Sequence, residues 1–280
     1  MARADSRALQ AWLGYFNFLR RWHRFEVVSG LEHLLVRESR LVVGYHGRPI
    51  AHDQCMLLNV IHERLGYLPH PVFHAWFGKN SRTGRWLDDL GFVTADGPEM
   101  AEAIAAGEHI FVTPGGTKEG CRPFWDRYRV NWGPRTGYLR LALKYGLPIV
   151  PVAADGTDDA FVGFNDGYEW GKRLKVPDGV AVWAGFGLTG PWPLGLPFPV
   201  KIRQFIGPPI GLAEMTQVLG TTPDPKNREH MQLLHVHVQA AVQGLLDRAR
   251  RAPTRRPVDR RAGRGPLASA RRPVNRRKFL

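Results

Sequence analysis

Apolar positions along the chain come in short blocks that predict alternating strands and helices. Runs rich in Val, Ile and Leu and bounded by Gly or Pro are typical of buried strands. Longer stretches with apolar residues three and four positions apart predict amphipathic helices. The predicted strands lie within 26–35, 40–46, 71–78, 109–116, 147–154 and 199–210; the predicted helices lie within 9–22, 53–65, 98–108, 135–146 and 229–250; and 85–95 is predicted to hold a helix followed by a short strand.

Because strands and helices alternate, we predict an α/β fold with a largely parallel sheet flanked by helices. The chain has 280 residues, of which 44% are apolar, and this is enough for one large core. The net charge of +14 is concentrated at the end, where the residues from Arg248 onward include twelve Arg, one Lys and one Asp. We therefore predict an N-terminal amphipathic helix in 1–25, a single domain in 26–250 and a disordered Arg-rich tail in 251–280.

Several classes of protein are disfavoured by the sequence. The first ten residues lack the compact apolar core of a signal peptide. The longest uncharged stretch, 179–200, contains four Pro, which argue against a membrane-spanning helix. Cys55 and Cys121 are far apart, so we expect no disulfide framework and a reducing compartment. No His or Cys spacing typical of a metal site is present, and we expect no metal.

A histidine and an aspartate flank the joint between a predicted strand and a predicted helix, in the segment YHGRPIAHD (45–53). His46 lies at the carboxyl end of the strand, where open α/β sheets place their sites. Asp53 opens the helix, whose dipole stabilises a negative charge. An aspartate that faces a histidine fixes its tautomer and stabilises its imidazolium, which yields a general base. The alternative is that His46 makes a local hydrogen bond and Asp53 is only an N-cap.

A glycine-rich turn follows another predicted strand, in the segment FVTPGGTKEGCR (111–122). Exposed backbone amides at Gly115 and Gly116, with Lys118 and Arg122 nearby, suit a phosphate or another anion. The segment lacks the P-loop spacing. A surface hairpin is the alternative interpretation.

Taken together, the two segments resemble the glycerolipid acyltransferase superfamily, and within it the branch with diacylglycerol-acyltransferase-like proteins and plastid ester synthases. The similar stretches are HGRPIAHD, PGGTKEG, RTGYLRLALKYGLPIVPV and FPVKIRQFIGPPI, within 26–212. The resemblance implies a single acyltransferase-like domain that moves a fatty acyl group from a thioester to the hydroxyl of a glycerolipid or lysophospholipid. It implies acyl-CoA or an acyl carrier as donor and co-substrate, and no other cofactor.

The resemblance also implies roles for individual residues. His46 is the expected general base and Asp53 the residue that orients it. The sequence departs from the usual spacing of this pair, because the superfamily has H-x4-D and this chain has Ala51 at that place and Asp53 at H-x6-D. His52 is a rival partner for His46. The longer spacing is absorbed by the turn, or it indicates reduced activity or another acceptor.

The resemblance implies roles for residues of the glycine-rich segment (111–122) as well. The glycine turn would hold an anionic group or the thioester oxyanion, and its two cations would supply charge for phosphate. Glu119 matches the family's site glutamate, and it would bond the acceptor hydroxyl or organise the basic groups; a surface salt bridge is the alternative. Arg135, before the helix at 135–146, is a second candidate for anion binding.

Lipid substrates imply a membrane or a lipid carrier as partner, so we expect a cytoplasmic protein that is peripheral on the inner face of a membrane. The segment WPLGLPFPV (192–200) is the candidate contact, with a buried loop as its alternative. The helix at 9–22, with Trp, Tyr and flanking Arg, packs on the core or lies in the interface. The Arg-rich tail adds affinity for anionic lipid or is a solvated terminus.

Two rival functions remain open at this stage. An acyltransferase-like protein that binds lipid with little catalysis is favoured by the displaced aspartate. A nucleic-acid binder would use the Arg-rich tail, but residues 1–247 carry a net charge of only +2 and no recognisable nucleic-acid motif. We therefore expect no specific nucleic-acid partner.

Overall fold

The computed structural model of the protein describes residues 6–73, 82–176 and 180–252. The helices are α1 (Arg7–Trp22), α2 (His52–Leu65), α3 (Arg82–Asp89), α4 (Pro98–Ala105), α5 (Gly116–Gly120), α6 (Gly137–Tyr145), α7 (Gly167–Arg173), α8 (Leu212–Leu219) and α9 (Arg228–Arg251). The strands are β1 (Glu26–Ser29), β2 (Leu41–Gly44), β3 (His70–Phe73), β4 (Val93–Thr94), β5 (Ile110–Val112), β6 (Ile149–Asp155), β7 (Val162–Gly163), β8 (Gly185–Gly187), β9 (Gly190–Pro191) and β10 (Arg203–Ile206).

Among the described residues, seven strands form one sheet in the order β1-β10-β6-β2-β5-β3-β4. Neighbouring strands run parallel except β10 and β6, which are antiparallel. The prediction of an α/β fold with a largely parallel sheet is therefore confirmed. The reversed direction of β10 was not predicted, because it depends on the path of a long connection and not on the residues of the strand.

Helices cover both faces of this sheet, and the side chains of each strand alternate between two apolar clusters. On β2, Leu41 and Val43 belong to the cluster under α4, α6, α8 and α9. Val42 belongs to the opposite cluster, which includes buried residues of α1 and α2. Strands buried on both faces read as continuous apolar runs, which is why the segments at 40–46 and 147–154 were recognisable.

The N-terminal helix packs on the core. Trp12 and Phe16 of α1 are buried in the same cluster as the apolar residues of α2, and the Trp12 Nε1 donates a hydrogen bond to Asn59 Oδ1 at 3.0 Å. Tyr15 and Phe18 lie on the exposed side of the helix. In the described ranges, no helix combines the length and the apolar character that crossing a bilayer requires.

Several elements were not predicted or lie partly outside the described residues. The glycine-rich turn continues into the short helix α5 rather than a hairpin. Helices α7 and α8, with seven and eight residues, were not predicted. The small sheet of β7, β8 and β9 was not predicted either, because each of these strands has only two or three residues. The predicted strand at 71–78 is described up to Phe73, and the Arg-rich tail from 253 onward lies outside the described residues.

Candidate active site

Three adjacent parallel strands end at the same edge of the sheet and carry the candidate residues. Strand β2 lies between β5 and β6 and is parallel to both. The three chain segments that follow these strands are 45–53, 113–122 and 156–159. Carboxyl ends of parallel strands are where open α/β sheets build their sites. This topology therefore brings the histidine segment and the glycine-rich segment together.

His46 is half-buried and its imidazole rests on the backbone of α5. A Cβ atom placed on Gly120 would lie 2.5 Å from both Cε1 and Nδ1 of His46, so only glycine leaves room for the ring. The Nδ1 lies 3.1 Å from the carbonyl oxygen of Gly47, which fixes Nδ1 as the protonated nitrogen. Within the described part of the chain the Nε2 has no hydrogen-bond partner, so its lone pair is available.

The imidazole is held in its neutral form. Burial lowers the pKa of His46 to about 4, and the positive charge of Arg122 acts in the same direction. A neutral imidazole can accept a proton at physiological pH. The geometry and charge of His46 thus fit a general base.

Glu119 connects the two segments through the backbone. Its Oε2 accepts a hydrogen bond from the N–H of His46 at 2.9 Å, and its Oε1 accepts one from the N–H of Asn131 at 2.8 Å. The side chain is 1% exposed, and burial raises the pKa of Glu119 to about 7. The alternative of a surface salt bridge is wrong; Glu119 is a buried acceptor that sets the position of His46.

Arg122 does not point into a free anion site, which corrects the expected phosphate contact. Its Nη2 donates to the two carboxylate oxygens of Asp158 at 2.6 and 2.8 Å, and the guanidinium lies over the Tyr45 ring at 4.5 Å. Arg122 and Asp158 are both buried. Since the charge of Arg122 is matched within the protein, this residue supports the site rather than contacting a ligand.

Asp53 lies beside the histidine turn but not on the imidazole, which corrects the expected direct pairing. The Asp53 carboxylate accepts hydrogen bonds from Thr157 Oγ1 at 3.1 Å and from Gln54 Nε2 at 3.0 Å. Asp53 and His46 share no hydrogen bond in the described structure. A Cβ on Gly47 would lie 2.5 Å from Asp53 Oδ1 and 2.1 Å from Thr157 Oγ1. Any orienting effect of Asp53 on His46 therefore passes through the Gly47 backbone.

The rival partner His52 forms no hydrogen bond with His46 in the part of the chain that the structure describes. Its ring is buried between Phe16 and Phe161, with centroid distances of 6.3 and 6.1 Å. Burial lowers the pKa of His52 to about 3. The local reason for the Asp53 and His52 placements is the start of α2, where Ala51 adopts a left-handed conformation (φ +53°) and turns the chain into the helix.

One of the two glycine amides of the glycine-rich turn is used in a backbone hydrogen bond within the turn. The N–H of Gly116 donates to the Thr113 carbonyl at 3.0 Å, so it is not free for an oxyanion. Arg135 donates to the carbonyl oxygens of Pro114 and Gly115 at 3.1 and 2.6 Å. Arg135 thus stabilises the turn through two of its carbonyl groups. The amide of Gly115 remains a candidate donor to an oxyanion.

Lys118 is the expected cation that remains unmatched. It is half-buried on α5, and its ammonium group forms no ion pair among the residues that the structure describes. The helix places it one residue before Glu119, next to the glycine turn. Lys118 is therefore available for an anionic group of a substrate.

The cysteines do not fit a nucleophile. Burial raises the pKa of Cys121 to about 12, and burial also raises the pKa of the Cys55 thiol. A thiol is a strong nucleophile only as a thiolate. In the described ranges, no group of three or more His, Cys, Asp or Glu side chains is arranged to hold a metal ion.

Asp158 and Tyr45 are the site residues that the sequence analysis missed. Asp158 lies three residues beyond the end of β6, on a 3-10 turn (Thr157–Asp159). The rule that selected His46, a polar residue just after a buried strand, would have selected Asp158 as well. Tyr45 reads as part of the apolar strand, and only its buried hydroxyl reveals another role.

No family model matches the chain, but individual proteins are similar to it. An uncharacterised protein of Mycobacterium leprae is 30% identical over 201 residues, which are 69% of this chain and 52% of that protein. A bovine protein described as a DGAT1/2-independent enzyme synthesizing storage lipids is 25% identical over 236 residues, 83% of this chain and 62% of that protein.

Chloroplastic phytyl ester synthase 1 of Arabidopsis thaliana is 23% identical over 163 residues, 54% of this chain and 22% of that protein. The chain thus spans only about half to three fifths of the length of the first two relatives. Among solved structures, the 1-acyl-sn-glycerophosphate acyltransferase PlsC of Thermotoga maritima superposes with a TM-score of 0.48 at 18% identity, covering 85% of this chain and 79% of that one.

Proposed function

We propose that this chain, a relative of lipid-synthesising enzymes, is a lipid acyltransferase of the glycerolipid acyltransferase superfamily. Relatives described as an enzyme synthesizing storage lipids and as a phytyl ester synthase support this proposal. The proposed reaction transfers a fatty acyl group from acyl-CoA to the hydroxyl of a glycerolipid or lysophospholipid. The observation that carries the proposal is a neutral, half-buried His46 beside the glycine-rich segment, with an Nε2 that bonds none of the residues the structure describes.

The chemistry follows from the state of the imidazole. The Nε2 of His46 accepts the proton of the acceptor hydroxyl while the hydroxyl oxygen attacks the thioester carbonyl carbon. The tetrahedral intermediate collapses by breaking the carbon–sulfur bond, and the imidazolium returns the proton to the departing thiolate. General base catalysis of this kind contributes about 10² to 10⁴ in rate. The thiols of Cys55 and Cys121 are not required, since the acyl group passes directly from the donor sulfur to the acceptor oxygen.

Three groups near His46 have supporting roles in the proposal. The Gly115 amide is the candidate donor to the oxyanion. Lys118 is the candidate partner for a phosphate of the donor or the acceptor. Glu119 holds the backbone of His46 in place rather than bonding the acceptor hydroxyl, because its side chain is buried with its oxygens on the N–H groups of His46 and Asn131.

The proposed function is tested by acyl transfer from labelled acyl-CoA to a panel of acceptors: lysophosphatidate, another lysophospholipid, diacylglycerol and a long-chain alcohol, with products identified by mass spectrometry. His46→Gln is expected to lower kcat by about 10²-fold or more. His33→Gln is the matched control, since His33 lies on a 3-10 turn away from this edge of the sheet. Turnover that survives His46→Gln excludes this histidine as the base, and absence of product with every acceptor overturns the function.

A lipid-binding protein with little catalysis is the second candidate, favoured by the absence of a hydrogen bond between Asp53 and His46. Native mass spectrometry of the wild-type protein with a fatty acid or a lysophospholipid separates the two. Stoichiometric lipid binding without turnover supports the second candidate. Turnover that depends on His46 rejects it.

The membrane contact is part of the same proposal. Leu194 is 91% exposed at the end of the β8–β9 hairpin, and Leu188 and Phe186 of that hairpin are also exposed. Trp192 packs instead against Trp183, at a centroid distance of 6.2 Å. We expect Leu194→Glu to reduce sedimentation with phosphatidylcholine vesicles while Trp192→Phe does not. Equal binding of wild type and Leu194→Glu would exclude the hairpin as the contact.

A further inference from the structure

We infer that Asp158 is a positioning residue that ties the histidine turn and the glycine-rich segment to each other, an inference that rests on the proposed function. The carboxylate lies on the 3-10 turn after β6 and is fully buried. Asp158 acts through its neighbours and not on a substrate.

Donors from both segments converge on this one carboxylate. From the histidine turn, the Tyr45 hydroxyl donates to Oδ2, and Arg48 Nε lies 3.7 Å from Oδ1. From the glycine-rich segment, Arg122 Nη2 donates to both oxygens. The backbone N–H of Tyr128 adds a further hydrogen bond at 2.6 Å. A carboxylate offers about four lone-pair positions, so Asp158 is saturated by the residues that flank the site.

These donors lie close in sequence to the atoms of the proposed reaction. Tyr45 immediately precedes His46, and Arg48 follows it by two positions. Arg122 follows Gly120, the residue on which the imidazole rests, also by two positions. Arg122 donates as well to the carbonyl oxygens of Glu119 and His46, the latter at 3.4 Å. A displacement of Asp158 therefore moves both the histidine turn and the part of the glycine-rich segment that contacts the His46 imidazole.

The charges make the arrangement selective for an acidic side chain. Arg48 and Arg122 are both buried, and a buried charge needs a partner. Burial alone would raise the pKa of Asp158, but the two guanidinium groups hold it below the usual value. Asp158→Asn preserves size and shape but removes the negative charge, so the two arginines repel each other without compensation.

The test compares Asp158→Asn with Asp159→Asn. Asp159 is the adjacent residue on the same turn, but it is half exposed and bonds Tyr128 Oη and Arg127 rather than the site segments. We expect Asp158→Asn to lower kcat by about 10²-fold, the cost of a displaced reacting group, with KM for both substrates nearly unchanged. Asp159→Asn is expected to keep kcat within about twofold, because its contacts are exposed.

Hydrogen exchange measured by mass spectrometry gives a second readout that does not need turnover. Asp158→Asn is expected to speed exchange in both 45–53 and 113–122 and to leave α1 and α9 protected, whereas Asp159→Asn changes neither segment. Faster exchange through the whole chain, a change in only one segment, or an equal effect of Asp159→Asn overturns the inference. If wild type makes no product, the proposed function fails, and the exchange pattern still decides the role of Asp158.

A milder variant covers the case in which Asp158→Asn does not fold. Tyr45→Phe keeps the ring under Arg122 and removes only the hydroxyl. That hydroxyl donates to Asp158 and accepts from Arg122 Nη2 and from the N–H of Tyr128. We expect a smaller fall in kcat than in Asp158→Asn, about tenfold, because Arg122 and Tyr128 keep their direct hydrogen bonds to Asp158, and we expect faster exchange in the same two segments. Unchanged kcat together with unchanged exchange in Tyr45→Phe contradicts the inference.

Discussion

The imidazole of His46 rests directly on Gly120, where a Cβ atom would lie 2.5 Å from the ring atoms Cε1 and Nδ1. A methyl group at this position must displace the ring and the Pro49 carbonyl oxygen, which would also lie 2.5 Å away, because a methyl carbon does not approach other heavy atoms so closely. We therefore expect Gly120→Ala to lower kcat by about 10²-fold through displacement of the base. Acyl-transfer kinetics measure the effect.

Gly14→Ala is the matched control for this substitution. Gly14 lies in the middle of α1 with nothing within 4 Å of its added Cβ. Alanine there should stabilise the helix by about 0.5–1 kcal/mol and leave kcat unchanged. Normal turnover in Gly120→Ala would mean that His46 does not need its present position.

The pH dependence of activity follows from the environment of His46. Because burial and Arg122 lower the pKa of His46 to about 4, the base stays unprotonated well below neutral pH. As pH is lowered, we expect kcat/KM to fall only near pH 4, and not near the ordinary histidine pKa of 6.5. The profile is measured on the free enzyme's parameter, kcat/KM, which reports the pKa of the unbound base.

The same profile for Asp53→Asn is the control, because the Asp53 carboxyl also titrates in this range. An acidic limb that disappears in Asp53→Asn belongs to Asp53. The Glu119 carboxyl, whose pKa burial raises to about 7, is checked in the same way with Glu119→Gln. A limb near 6.5 that remains in both variants contradicts the assigned state of His46.

Asp53 predicts a pH dependence of stability. Folding raises its pKa from 3.8 to about 7, through burial. Between these values the folded protein keeps a proton that the unfolded chain has lost, so the contribution of Asp53 to stability falls as pH rises. Asparagine stays neutral and still accepts the Thr157 hydroxyl. We therefore expect Asp53→Asn to become more stable relative to wild type between about pH 5 and about pH 8.

Urea unfolding at the two pH values measures this difference. Asp89→Asn, at an exposed position at the end of α3, is the control and should show no such trend. A stability difference for Asp53→Asn that stays constant or grows toward acid would show that Asp53 is ionised in the folded protein.

Lys118 and Arg135 are expected to affect different steps, because one is unmatched and the other fastens the turn. Lys118→Ala should raise KM by about tenfold for the substrate whose phosphate it meets and leave kcat unchanged. Arg135→Ala removes the hydrogen bonds to the Pro114 and Gly115 carbonyls, so it should lower kcat with every acceptor.

Comparing lysophosphatidate with a long-chain alcohol separates the possibilities for Lys118. A rise in KM for lysophosphatidate alone assigns the acceptor phosphate to Lys118, and a rise in KM for acyl-CoA with both acceptors assigns the donor. No change in either KM contradicts a substrate contact. An Arg135→Ala protein with normal kcat contradicts the role of that residue in the turn.

The alternation of strands and helices, and the edge of the sheet where the site lies, follow from the pattern of residues along the chain. Strands β2, β5 and β6 are buried on both faces, so their apolar runs stand out from the amphipathic helices between them. Parallel strands place their carboxyl ends together. For this reason the sequence predicts that a histidine after one strand and a glycine-rich turn after another lie at one site.

The contacts of each polar side chain depend on the folded arrangement of distant segments and do not follow from the pattern of residues. Arg122 and Lys118 look alike in the sequence, yet Arg122 is paired with Asp158 and Lys118 has no ion pair among the described residues. Asp53 lies seven positions after His46 and still bonds Thr157, which is 104 positions away. Hydrogen bonds and buried ion pairs act over about 3 Å, and residues that meet at that distance come from segments whose approach is set by the packing of the whole domain.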